Sequence, residues 1–254
     1  NSLLEVMEAN TSFIPSSTNL SEISDISLFD HVKLTAAVAS SIMKYLDENH
    51  INNYHDILYK NSQDFYGQNV FMMFSMDISG IQDFIYTVSS EGALKSLRAR
   101  SFYLEILMEH LIDELLQRVG LSRANLLYSG GGHAYILLSN TQRHNDIVNQ
   151  YITEVNQWFM DYYGTALFIA AGTAVCSAND LGYSYEGGVN QQYKEVFHKM
   201  SADISRRKLA RYSAADIMKL NQQGDQDDTR ECKICHRADM LNENEICEMC
   251  QNIK

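Results

Sequence analysis

The amino-acid sequence predicts an α+β fold, and three observations lead to this class. Apolar runs of strand length recur along the middle of the chain, and stretches with apolar residues at helical spacing separate them. Their order is β, α, β, β, α, β. Four of the five cysteines lie close together near the C-terminus, which adds a metal-binding unit to this fold rather than a disulfide framework.

The chain is predicted to begin with a loop and a buried helix. Residues 1–27 are rich in Ser, Asn and Thr and contain the only proline, Pro15, so we expect a loop or a disordered lead-in there. Regular structure is expected to begin near Ser27. Residues 28–46 carry apolar side chains at helical spacing and predict a buried helix, whereas residues 47–69 are polar and mixed.

A continuous apolar strand and a long helix follow. The strand begins at about residue 70 and is predicted to end at Asp77. A short helix can open at Gly80, directly after the strand. Residues 97–120 predict a strong amphipathic helix closed by Gly120. Its apolar residues stand at positions 104, 107, 108, 111, 112, 115, 116 and 119.

The next segment predicts a hairpin, in which residues 126–128 and 134–138 are strands joined by three glycines. Glycine supplies the positive φ that tight hairpin turns require. The remaining segments are an amphipathic helix (143–164), a buried strand (166–176), helical stretches (about 186–210 and 213–221), a polar linker (221–228) and the cysteine cluster. The β, α, β, β, α, β order is the split βαβ pattern of ferredoxin-like domains, which are also the palm domains of many polymerases and nucleotide cyclases.

Composition and charge limit the classes of function. The 254 residues carry a formal charge of −12, which disfavours autonomous binding to a nucleic-acid backbone because that affinity comes largely from Lys and Arg. The longest apolar run, residues 166–178, falls short of the ~20 residues that a membrane-spanning helix needs. Asn1 stands in place of an initiator Met, and no signal-peptide pattern follows it, so we expect a piece of a longer protein.

The predicted hairpin lacks the acidic residues of a catalytic palm. Such palms hold Mg²⁺ with a carboxylate at the end of the first strand and further carboxylates on the central hairpin. Asp77 takes the first position, but His133 is not a natural Mg²⁺ ligand, and one carboxylate makes a poor site. We therefore predict no catalytic residue in this chain. The hairpin reads Ser129, Gly130, Gly131, Gly132, His133.

Two interpretations of the glycines remain open. In one, their N–H groups cradle a nucleotide together with Ser79 and Gly80, at a helix N-terminus where the dipole favours phosphate. Lys95, Arg98 and Arg100 would then be close enough to contact a phosphate. In the other, the glycines form a tight turn and the arginines lie on a solvated helix face, since a glycine run without a G-K-[ST] ending is a weak motif.

The cysteine cluster has the spacing of a zinc site. Cys232, Cys235, Cys247 and Cys250 form C-x₂-C-x₁₁-C-x₂-C, and four thiolates suit tetrahedral Zn²⁺. Because protein ligands fill all four positions, a structural role is expected. His236 is a competing ligand, although with four thiolates present it is expected near the site or in solvent.

Two further features have simple structural interpretations. Asp25, Asp30 and His31 lie close together, but a lone Asp-His pair is typical of a helix cap, and no second histidine cluster stands upstream to complete a dinuclear metal site. Cys176 ends the last buried strand and is expected to be a small core residue.

Taken together, these segments resemble the Csm-type large subunit of type III CRISPR effector complexes. The matching pieces are "DISLFDHVKLTAAVA", "SGIQDFIY", "LKSLRARSFYLEIL", "LLYSGGGHAYILL", "SRRKLARYSAADIMKLN" and the four-cysteine module, in that order. In that antiviral family an HD nuclease domain cuts single-stranded DNA. Two palm domains follow, and the second bears a GGDD hairpin that polymerises ATP into cyclic oligoadenylate once target RNA is bound.

The resemblance implies three parts for this chain: a loop and helical tail of an HD-type domain (1–69), a first palm with a degenerate hairpin (70–180), and a helical segment with the zinc module (181–254). The nuclease His-Asp pair and the GGDD hairpin are absent from the sequence. The positions that the resemblance places toward a nucleotide are Ser79, Gly80, Ile81, Gln82, Ser129, Gly130, Gly131 and Gly132. Together with Asp77 and Arg98, these are the predicted nucleotide-binding residues.

The resemblance also implies cofactors and partners. ATP lies between the paired palms, so ATP with Mg²⁺ is expected only with the second palm present, whereas zinc is structural. The expected partners are that second palm, the crRNA-handle-binding subunit and other effector subunits, with crRNA and target RNA contacted indirectly, in the cytoplasm and without a membrane. The alternative is a purely structural assembly module with a relic palm. A free-standing diguanylate-type cyclase is disfavoured by the missing hairpin carboxylates.

Overall fold

A computed structural model of the chain describes residues 2–19, 21, 25–87, 93–182, 191–222, 230–236, 238–239 and 241–253. Its elements are, in chain order, α1 (Ser2–Thr11), α2 (Leu28–Glu48), a π-helical turn (Asp56–Lys60), α3 (Ser62–Tyr66), β1 (Phe71–Ser79), α4 (Ile81–Tyr86), α5 (Ala93–Val119), a 3₁₀ turn (Arg123–Asn125), β2 (Leu126–Gly130), β3 (His133–Ser139), α6 (Gln142–Tyr163), β4 (Phe168–Cys176), α7 (Ala178–Leu181), α8 (Gln191–Leu209), α9 (Ala214–Gln222), β5 (Arg230–Glu231), β6 (Ala238–Asp239) and α10 (Glu248–Asn252).

The four long strands form one antiparallel sheet in the order β2-β3-β1-β4. This is the strand order of a split βαβ domain, so the predicted fold class is confirmed. β1 lies in the centre, where Asp77 stands opposite His133 of β3 and Ala170 of β4. The strand runs to Ser79, two residues beyond the predicted end, because β4 continues to pair with it as far as Phe168.

One face of the sheet packs against α5 and α6. Alternate residues of β1, such as Phe74 and Met76, lie in the same core cluster as the apolar faces of these helices. All eight apolar positions predicted for the long helix are buried. That helix ends at Val119, and Gly120 follows with a φ of 67°, as its pattern predicts.

The opposite face of the sheet is covered by α2 and α8. Phe71 and Met73 of β1 pack there with Met200 of α8. The backbone of α8 comes so close to the sheet that a Cβ added to Gly172 of β4 would lie 2.2 Å from the Met200 carbonyl oxygen.

The N-terminal prediction is wrong in part, because residues 2–11 form helix α1 rather than a loop. The Ser- and Asn-rich composition of residues 1–27 comes mainly from the part after residue 11, whereas "SLLEVMEA" consists largely of good helix formers. Residues 186–190 of the predicted helical stretch and 223–228 of the predicted linker lie outside the described residues. Within the described ranges, no helix has both the length and the apolar character needed to cross a membrane.

Candidate functional site

The β2–β3 hairpin turns through Gly131 and Gly132, which have φ values of 61° and 80°. Two-residue hairpin turns of type I′ require positive φ at both central positions, so glycine is favoured here for conformational reasons alone. A Cβ on Gly132 would lie 2.1 Å from Cδ1 of Ile81, whereas a Cβ on Gly131 would meet no atom within 4 Å. The turn therefore packs against the start of α4 and leaves Gly131 open.

The segment after β1 is equally constrained. Gly80 has a φ of 91°, and a Cβ there would lie 2.0 Å from the carbonyl oxygen of Ala166. Ser79 is buried, and its hydroxyl has no hydrogen-bond partner among the described residues. Gln82 is exposed in the first turn of α4. The structure thus places Gly132 of the turn against Ile78 and Ile81.

Asp77 is engaged by two basic side chains. Lys208 of α8 forms an ion pair with Oδ2, and His133 Nδ1 lies 3.4 Å from Oδ1. Partial burial raises the pKa of the Asp77 carboxyl, but the hydrogen bonds from His133 and Lys208 outweigh burial and hold this pKa below its usual value. The Lys208 ammonium group therefore contacts a carboxylate oxygen that would bind a metal ion in a catalytic palm.

Ser75, His133 and Asp77 stand in the order of a Ser-His-Asp relay, since Ser75 Oγ lies 2.9 Å from His133 Nε2. Ser75, however, has no exposed surface. A nucleophile must reach its substrate, and this hydroxyl cannot. The three side chains and Lys208 are instead a polar network that fastens α8 to β1 and β3.

A double-mutant cycle tests the Asp77–Lys208 pair. With Asp77→Asn and Lys208→Met, we expect a coupling of about 1–3 kcal/mol in the free energy of unfolding at pH 7, because the carboxylate is largely shielded from water. The lowered pKa means that the Asp77 carboxylate stabilises the fold above its unfolded pKa of ~3.9 and loses this effect as pH falls through the folded-state pKa. Denaturant unfolding of the four proteins gives the value.

The matched control is the Lys219–Asp161 pair, which joins α9 to α6 at 2.7 Å with both side chains about half exposed. Its coupling should fall in the ~0.2–1 kcal/mol range of surface ion pairs. Equal couplings for the two pairs would contradict a structural role for Lys208 at Asp77.

The remaining predicted positions do not converge on the turn. The hydroxyl of Ser129 donates to Glu109 of α5 at 3.2 Å, and a Cβ on Gly130 would lie 2.7 Å from the Tyr128 hydroxyl oxygen. Arg98 is exposed on α5. Neither interpretation of Arg100, phosphate contact or a solvated helix face, is correct, because this residue is 2% exposed and lies on the buried stripe of the same helix.

The four C-terminal cysteines form a compact sulfur cluster. Their Sγ atoms all lie within 4.8 Å of one another, and this is the one group of three or more metal-binding side chains found among the described residues. Cys235 and Cys247 are 3.6 Å apart, close to the ~3.8 Å between sulfurs in a tetrahedron with Zn–S bonds of ~2.3 Å. The donor set fits zinc. His236 is exposed and does not belong to the group.

The environment of the cluster couples metal binding to deprotonation. Burial raises the pKa of the Cys247 thiol to about 11, and the hydrogen bond with Cys235, together with burial, raises that of Cys250. A divalent cation favours the thiolate form and so lowers such pKa values. Cys232 also accepts backbone N–H groups from Ile234 and Cys247, at 3.4 and 3.3 Å, which favours the thiolate.

The other two structural interpretations are confirmed. The Ser27 hydroxyl accepts the Asp30 N–H at 3.0 Å and donates to the Asp30 carboxylate at 2.8 Å, which caps α2. Within the described ranges, Asp25 and His31 join no metal-binding group. Cys176 is fully buried in the core.

Comparison with known sequences identifies related proteins. A model of the family described as Csm1 subunit domain B matches residues 70–223. Two relatives are described as the CRISPR system single-strand-specific deoxyribonuclease Cas10/Csm1 of subtype III-A. The Mycobacterium tuberculosis protein is 47% identical over 98% of this chain, and the Enterococcus italicus protein is 43% identical over 99%. The chain covers 32% and 33% of them, about a third of their length.

Solved structures share the fold. A Csm1–Csm4 cassette in complex with pppApA has a TM-score of 0.70 at 30% identity, over 82% of this chain and 27% of that one. A cassette in complex with one ATP has a TM-score of 0.69 at 30% identity, over 87% and 28%. A cassette in complex with cA4 has a TM-score of 0.67 at 30% identity, over 82% and 26%.

Proposed function

This chain belongs to the Csm1 family of type III-A CRISPR large subunits, and from this premise we propose that it supplies the first palm and a structural zinc module of such a subunit. The complete subunit would make cyclic oligoadenylate from ATP and cleave single-stranded DNA. The chain spans about a third of its relatives, so these activities belong to the larger protein.

The engagement of Asp77 by Lys208 and His133 is the observation that carries this assignment. It leaves the palm without a free carboxylate at the position where a catalytic palm binds Mg²⁺. In our proposal the acidic pair of the second palm holds the metal ions. The first palm contributes the open backbone at Gly131 and the adjoining residues 79–82, and therefore half of an ATP site without catalytic residues of its own.

The proposed partners follow from the same division of labour. The second palm closes the ATP site. A Csm4-type subunit, which pairs with Csm1 in the solved cassettes, would bind the crRNA handle, so that this acidic chain contacts crRNA and target RNA indirectly. We place the assembly in the cytoplasm, where the four cysteines would hold zinc rather than form disulfides.

Bulk at Gly131 tests the ATP half-site. In the full-length subunit with its Csm4-type partner, we expect Gly131→Trp to lower cyclic oligoadenylate synthesis about tenfold or more relative to Gly131→Asn. Both variants place a side chain at positive φ, at a smaller cost for Asn than for Trp, and neither meets an atom near the Cβ. Only the indole fills the space in front of the turn. The measurements are product formation against ATP concentration and the thermal stability of both variants.

The alternative is a structural assembly module with a relic palm, which is favoured by the helix that covers the sheet face beside Asp77. If this is correct, the Trp and Asn variants make the product at equal rates when equally folded. A loss of synthesis that follows only the loss of thermal stability would also count against the half-site.

A further inference from the structure

Arg100 is a buried cation without a carboxylate partner in the part of the chain that the structure describes. It is 2% exposed and takes part in none of the ion pairs there. One Nη donates to the carbonyl oxygen of Phe84, and the guanidinium carbon lies 5.1 Å from the centroid of the Phe84 ring. The other Nη lies 3.2 Å from Cys250 Sγ. Burying a cation in this way is costly unless its charge is compensated.

The sulfur cluster can supply that compensation. A divalent cation held by four thiolates keeps a net charge of about −2, which is itself expensive to bury. The backbone N–H groups that contact Cys232 are neutral donors, whereas Arg100 brings a positive charge to Cys250. Because the two charges are opposite, the buried arginine and the anionic metal centre each compensate the charge of the other. This lowers the free-energy cost of burying both.

The same guanidinium is connected through Phe84 to the loop at the end of β1. Phe84 lies in α4, and its N–H donates to the carbonyl oxygen of Gly80 at 2.9 Å. Gly80 in turn is held against Ala166 by close backbone contact. A continuous path of contacts thus runs from Cys250 through Arg100 and Phe84 to Gly80.

We propose that Arg100 is a positioning residue that partly neutralises the metal–tetrathiolate centre and ties it to α4, so that metal binding orders the loop at Ser79 and Gly80. The inference rests on the proposed zinc ion at the four cysteines. It assigns Arg100 a role in metal affinity and loop order rather than in phosphate binding.

Zinc affinity provides the first test, in the full-length subunit. Arg100→Met keeps an unbranched apolar side chain, although a shorter one, and removes the charge and the donors. We expect zinc to bind about 10–100-fold more weakly, as when other outer partners of metal ligands are lost. Arg100→Lys should retain part of the affinity. Arg98→Met, at an exposed position on the same helix, is the matched control and should bind as the wild type does. Competition with a chromogenic chelator measures all four proteins.

Amide hydrogen exchange in the wild type provides a second test that needs no variant. Chelation of zinc should speed exchange of the Phe84 and Thr87 amides, which donate to the carbonyl oxygens of Gly80 and Asp83, more than it speeds exchange of the β3 amides. Wild-type zinc affinity in a folded Arg100→Met protein would overturn the proposal, and so would α4 exchange that is unchanged or that rises equally with β3.

The two proposals fail separately. Wild-type protein with almost no zinc refutes the metal site and with it this inference. Zinc near one ion per chain combined with either negative result refutes only the role of Arg100.

Discussion

Replacing Cys247 with serine is expected to lower the zinc content from about one ion per chain to near zero and to lower the free energy of unfolding by about 5 kcal/mol or more. Cys247 lies 3.6 Å from Cys235 and donates its backbone N–H to Cys232, so it stands at the centre of the cluster. Structural zinc contributes roughly 10–16 kcal/mol of apparent binding free energy in small zinc domains, and that energy stabilises the fold. Metal analysis and thermal unfolding measure the two effects.

The matched control is Cys176→Ser. Cys176 is as buried as Cys247 but lies outside the sulfur cluster, at the end of β4. The control should keep its zinc and show only the smaller cost of a hydroxyl in an apolar site. Zinc near one ion per chain in Cys247→Ser, or zinc near zero in the wild type, would contradict the assignment.

The effect should extend beyond the C-terminal module. Cys232, Cys247 and Cys250 belong to the same core cluster as the apolar faces of α5 and α6. The module therefore packs into the same core as these helices, and loss of the metal should also loosen the N-terminal half of α5, where Arg100 lies.

The sequence predicts the parts of this fold that have a regular period. The stripe of α5 is set by helical spacing, and the metal cluster by cysteine spacing, so both emerge from local patterns. Arg100 had such a signal as well, because it stands four residues before Leu104 and therefore on the buried face. A charged residue at that position indicates an internal partner, but nothing local identifies the partner as Cys250.

The contact between Lys208 and Asp77 could not be predicted in this way. It joins α8 to β1 across the sheet, and such contacts depend on how the chain returns after β4 rather than on any period in the sequence. The stretch "SRRKLARY" contains four basic residues. The sequence does not indicate which of them pairs with Asp77. No local pattern in the sequence therefore indicates that α8 covers this face of the sheet.

Gly172 controls how closely α8 covers that face, and Gly172→Ala is expected to destabilise the protein by about 3 kcal/mol, which lowers Tm by roughly 6–12 °C in a chain of this size. A Cβ there would lie 2.2 Å from the carbonyl oxygen and 3.0 Å from the carbonyl carbon of Met200. These are backbone atoms of α8, so the clash cannot be relieved by a side-chain rotation. The helix must move away from the sheet, which exposes Met200 and Ile204 and draws Lys208 away from Asp77.

Gly67→Ala is the matched control for this substitution. Gly67 has an ordinary negative φ of −84°, and a Cβ there would meet its nearest atoms only at 3.7 and 3.8 Å. It should be neutral or stabilise the protein by up to about 1 kcal/mol, because alanine restricts the unfolded chain. If the two variants melt at the same temperature, α8 does not depend on glycine for its approach. If only Gly172→Ala melts early and α8 exchanges its amides faster, the close packing of α8 on this face of the sheet depends on the missing side chain at Gly172.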